Sequence, residues 1–82
     1  MIIALWDIET GTLVDEYRSE TAALTAVYQV VQTHGERYAE TFALVRDDGV
    51  HAPRTISAGS DLVARARQSH DQSQRDRLAS AR

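Results

Sequence analysis

The chain has no cysteine and no lysine, a single proline, four glycines and one tryptophan among 82 residues. Without cysteine there is neither a disulfide nor a thiolate metal site, and a thiol-free chain fits a cytoplasmic location. The four glycines are isolated, so no glycine-rich phosphate cradle can form. No apolar run approaches the length of a membrane span. Met1-Ile2-Ile3-Ala4-Leu5-Trp6 is too short for a signal-peptide core, lacks a basic leader and is followed by Asp7, so it reads as a strand.

What remains is one small domain. A chain this short buries only roughly 60% of its unfolded surface, and disulfides, metals or oligomerisation usually make up the deficit. With cysteine absent, oligomerisation is the expected support. The net charge of −3 divides unevenly. Residues 1–59 hold nine acids and four arginines, whereas residues 60–82 hold three acids and five arginines, giving an acidic body and a mildly basic end. Exclusive use of arginine suits a high-GC bacterial coding sequence better than any binding mechanism.

Residues 2–7 and 12–18 read as two strands joined by a turn at Gly11, which can take a left-handed conformation at no steric cost. Setting Ile8 against Thr12 places Leu5 opposite Asp15 and Ile3 opposite Tyr17. One face of the hairpin then carries Ile3, Leu5, Leu13 and Tyr17, and the other Ile2, Ala4, Trp6, Ile8 and Val14. Both are apolar, whereas a solvated sheet face should be polar.

Ser19 is placed to cap a helix over about 19–34, with Glu20 at its positive end and Ala23, Leu24, Val27, Val30 and Val31 as its apolar stripe. Gly35 is the expected left-handed stop. Residues 36–40 read as a connector anchored by Tyr38. Residues 41–46 read as strand three, Asp47-Asp48-Gly49 as a turn and residues 50–57 as strand four. Pro53 cannot donate to a ladder, so strand four belongs at an edge or beside a bulge. Ser60 is the expected cap of a second helix with a thin apolar face of Leu62, Val63 and Ala66. From Gln68 onward the polar composition predicts a flexible tail.

The expected architecture is therefore α+β: a four-stranded antiparallel sheet of two β-hairpins in ββαββα order, with one main helix packed on it. Residues 1–67 are the domain and 68–82 the tail.

No constellation announces catalysis. Asp15-Glu16 and Asp47-Asp48 are adjacent carboxylates on a strand and at a solvated turn tip, so both pairs read as surface charge. Ser57, Ser60, Ser69 and Ser73 sit in no nucleophile elbow. His34, His51 and His70 have no partner at ligand spacing, and His34 is more simply a favourable charge at a helix C-terminus. The expectation is a protein that is not an enzyme and carries no metal or cofactor.

Leu5-Trp6-Asp7-Ile8-Glu9-Thr10-Gly11-Thr12-Leu13-Val14 resembles a WD-repeat strand pair. A propeller needs about 40–45 residues per blade and at least four blades, so the likeness is local turn chemistry. Over residues 1–67 the chain resembles a group of small bacterial proteins, mostly from high-GC organisms, to which no activity is assigned. Trp6-Asp7, Thr10-Gly11, Leu13, Tyr17, Glu20 to Ala23, Ala43 to Val45, Asp48-Gly49 and Ala58-Gly59 carry that resemblance. It implies a shared fold and no known chemistry, and the long arginine-containing end departs from the pattern.

Two functional expectations follow. The first is an interaction module, a homodimer joined through the sheet face of Ile2, Ala4, Trp6 and Val14, because an uncovered apolar face is an association site and tryptophan a frequent anchor. The second is a nucleic-acid-associated regulator using Arg65, Arg67, Arg75 and Arg77. The interspersed aspartates, the absence of stacking aromatics near those arginines and the acidic body argue against it.

Overall fold

The computed structural model describes residues 1–80, and the side chains of residue 73 and residues 76–80 also fall outside what it describes. It has the α+β architecture expected: β1 (Ile2–Asp7), β2 (Thr12–Tyr17), α1 (Glu20–His34), α2 (Glu36–Ala39), β3 (Phe42–Asp47), β4 (Arg54–Ala58) and α3 (Gly59–Ser80). The four strands form one antiparallel sheet in the order β2-β1-β3-β4.

Composition explains that order. β1 and β3 are the most continuously apolar strands and take the centre. β2, with Asp15 and Glu16, and β4, entered through Pro53, take the edges, where unpaired backbone groups and charges meet water. β2 and β3 both run antiparallel to β1 and so parallel to each other, with α1 in the crossover between them.

The first turn is set by Asp7, whose carboxylate accepts the Glu9 and Thr10 N–H groups at 3.0 and 3.4 Å, and is closed by Gly11 at φ +69°. The pairing Ile3–Tyr17 and Leu5–Asp15 is as expected. Between Leu5 and Trp6 the register shifts: Trp6 faces Leu13, Asp7 faces Thr12, and Val14 is the extra residue of a β-bulge. Leu13 therefore leaves the face of Ile3 and Leu5, where strict alternation had put it, and joins Trp6.

Ser19 caps α1 as expected, its hydroxyl accepting the Ala22 N–H at 3.1 Å. Ala23, Leu24, Val27 and Val31 are buried against the sheet. Gly35 ends the helix at φ 91°, ψ 166°, a region open almost only to glycine, and its N–H returns to the Val31 carbonyl. No atom crowds the position a Cβ would take there, so the cost of substitution is conformational. Gly35→Ala is expected to destabilise the fold by about 1–3 kcal/mol, measured by urea titration.

The connector is a short helix, α2, rather than an irregular segment. Ala39, its last residue, is fully buried, while Tyr38 packs edge-on against Phe42 with ring centroids 5.5 Å apart. Four residues are too few to show helical periodicity, which is why the sequence reads as a loop.

α3 departs furthest from expectation. It begins at Gly59, so Ser60 lies within its first turn rather than capping it, and it is Ser57 that donates a 2.6 Å hydrogen bond to Asp61. Leu62, Val63 and Ala66 join the core with α1, on the same face of the sheet. The helix then continues to Ser80 through residues expected to form a tail. Nothing after Gly59 breaks a helix, and α1 and α2 lie alongside: Arg65 pairs with Glu20 of α1 at 3.0 Å, Arg67 with Glu36 of α2, and His70 stacks on Tyr28 of α1 with centroids 3.8 Å apart. Residues 81–82, the end of the expected tail, lie outside the described residues.

The result is two layers, helices on one side and sheet on the other. Ile3, Leu5, Phe42 and Leu44 meet Leu24, Val27, Val31, Leu62 and Ala66 in a single core.

Candidate interaction face

Placing both α1 and α3 on one side leaves the other side of the sheet without a layer among the described residues. Alternation from the paired register puts Ile2, Ala4 and Trp6 of β1, Leu13 of β2, Ala43 and Val45 of β3 and Ala58 of β4 on that outer face. Each central position is apolar, and the polar side chains of the face, Glu16, Asp47 and Thr55, lie toward its margins. An apolar centre within a polar rim is how protein interfaces are built.

The large side chains of this face are open to solvent. Ile2 is 45% exposed, Trp6 36% and Leu13 39%, while Val14, in the bulge, is 45% exposed. Ala4 and Ala43 are buried without a layer above them, as the small side chains between larger neighbours. Trp6 thus stands beside a low floor, with Ala43 directly across on β3 and Leu13 directly across on β2. At about 4.8 Å between strands and about 3.3 Å per residue, three strands of six residues and one of five make a face of roughly 19 by 20 Å. With its polar margins included the face spans a few hundred Å², the size of the largest surface patches that often serve a function.

The structure brings together Ile2, Ala4 and Trp6 as the sequence suggested and adds Leu13, Ala43, Val45 and Ala58. The signal for β3 was present: Phe42-Ala43-Leu44-Val45 is apolar at consecutive positions, as in a strand with two apolar faces. Leu13 could not be placed from the sequence, because nothing in Leu13-Val14-Asp15 marks the bulge.

The arginines of the second expectation are differently situated. Arg65 and Arg67 hold α3 against α1 and α2 through Glu20 and Glu36, and Arg65 also donates to the Ile56 carbonyl at 3.4 Å. Arg75 is exposed, and the Arg77 side chain lies outside the described residues. Among the described residues no group of three or more His, Cys, Asp and Glu side chains is placed to share a metal ion, and no helix is long and apolar enough to cross a membrane. The space beside Tyr28 and His70, about 370 Å³, is an open groove lined by Thr25, Gln29, Gln32, Thr33 and Gln74.

On the helix side of β2, burial and then the Asp15 carboxylate raise the Tyr17 hydroxyl above the usual phenol range. The unfolded chain therefore ionises first. The contribution of Tyr17 is intact below about pH 10 and is lost as pH rises through its folded value. An alkaline series of urea midpoints is expected to fall above that pH in the native protein and to fall less in Tyr17→Phe.

No family model, curated protein or solved structure matches the chain.

Proposed function

We propose that the protein is a small cytoplasmic interaction module, without catalytic activity, that forms a homodimer through the outer face of its sheet. The observation that carries this reading is the seating of both long helices on one side, with Ile2, Trp6 and Leu13 exposed together on the other. A second copy supplies the missing layer. Two such faces pack at about 10 Å, as the sheets of a sandwich do. The limited core of a chain this short makes the added burial valuable to stability as well as to function.

Trp6 is the only tryptophan and reports directly on the interface. On dilution from high to submicromolar concentration its emission is expected to move to longer wavelength and to become more accessible to iodide. Emission and quenching that do not change with concentration, at a wavelength typical of exposed indole, would rule out burial of this face in a dimer.

A further inference from the structure

We propose that the β3–β4 hairpin carries a binding site for a phosphate group, formed by Arg46 and Arg54. The two arginines are direct partners across the strands, so both project to the same side of the sheet. Like charges set opposite one another destabilise a strand pair unless an anion lies between them. Among the described residues neither guanidinium is ion-paired.

The acids nearest in sequence are engaged elsewhere. Asp47 accepts the Gly49 N–H at 2.9 Å. One oxygen of Asp48 accepts the Val50 and His51 N–H groups at 2.9 and 2.8 Å, and the other lies 2.9 Å from Nδ1 of His51. These contacts, the His51 N–H foremost, lower the Asp48 carboxyl to about 2. Its charge is thus directed into the turn, and His51 is held at the rim through one ring nitrogen.

The open surface hollow beside them is about 280 Å³, lined by Arg46, Asp48, His51, Ala52 and Arg54, all of them exposed. That is close to the lower end of small-ligand pockets, about 300 Å³, and suits one anionic group rather than a large molecule. Pro53 fixes the backbone immediately before Arg54. Two guanidinium forks approaching from neighbouring strands can each bind a pair of oxygens. A phosphate dianion balances both guanidiniums where a carboxylate balances one, and the Asp48 carboxylate on the same wall is offset by the Val50 and His51 N–H groups and His51 Nδ1 that it contacts. The phosphate could belong to a small phosphorylated compound or to a nucleic-acid backbone, and the dianion of a monoester matches two arginines better than a phosphodiester does.

The test is an amide NMR titration of the full chain at constant ionic strength, with inorganic phosphate in one arm and a short oligonucleotide lacking a terminal phosphate in the other. Phosphate is expected to produce saturating shifts confined to residues 46–54. Arg46→Gln and Arg54→Gln are expected each to weaken binding about tenfold. Both are exposed substitutions, and unchanged spectra elsewhere establish that the variants fold. Tighter, arginine-dependent binding of the oligonucleotide would support the site and identify its phosphate as part of a nucleic acid. Binding of phosphate alone would support it and assign the site to a small phosphorylated compound rather than a nucleic-acid backbone. Shifts that do not saturate, or that persist in the double variant, would overturn the site.

Discussion

Trp6→Glu is expected to abolish the proposed dimer while leaving the fold intact. Trp6 stands on the open side of β1, 36% exposed, with Ala43 and Leu13 as its cross-strand neighbours and no helix above it. In the single chain a glutamate there meets water and disturbs no packed layer. In the dimer it would place a carboxylate at the centre of a dry apolar contact, and removal of such an anchor alone costs about 2–4 kcal/mol. The added charge must also be desolvated. The dissociation constant of the dimer should therefore rise by at least about a hundredfold, which is roughly 2.7 kcal/mol. Sedimentation velocity together with far-ultraviolet circular dichroism separates the outcomes. A variant that sediments like the native protein would contradict the assignment of the interface, and one that loses secondary structure would show that Trp6 serves the fold.

Leu62→Ala is expected to have the largest effect on stability. Leu62 is fully buried, and it brings α3 into the core shared by α1 and the sheet. Truncating a buried leucine leaves a cavity and costs about 2–5 kcal/mol. In a domain of this size each kcal/mol lowers the melting temperature by about 4–8 °C, so the variant should be largely unfolded at temperatures the native protein tolerates. A loss below about 1 kcal/mol would mean that α3 is not part of the folding unit, since only exposed sites tolerate such changes so lightly. The same substitution bears on the interface. If α3 instead covered the Trp6 face, Leu62→Ala would release that face and promote association, whereas α3 on the α1 side predicts loss of folded protein without new association.

Much of this architecture is legible in the residues. Ser19, Gly35 and the stripe of Ala23, Leu24, Val27 and Val31 define α1, because caps and helical spacing act locally. The exposed apolar face is legible too: β1 and β3 carry large or small apolar side chains at successive positions, and alternation requires half of them to face away from α1. The remainder depends on contacts distant in sequence. The bulge at Val14 moves Leu13 across the sheet and has no marker of its own. The continuation of α3 past Gln68 depends on α1 lying beside it, through pairs such as Arg65–Glu20 and Tyr28–His70 that a linear reading cannot bring together. Arg46 and Arg54 likewise become neighbours only when β3 and β4 pair.

The most direct test of the central claim is the solution mass of the native protein by light scattering across a concentration series at neutral pH. A self-associating sheet face predicts twice the 9.1 kDa chain mass at high micromolar concentration, falling toward the single-chain mass on dilution. A mass that stays at one chain throughout, with Trp6 still exposed, would contradict it.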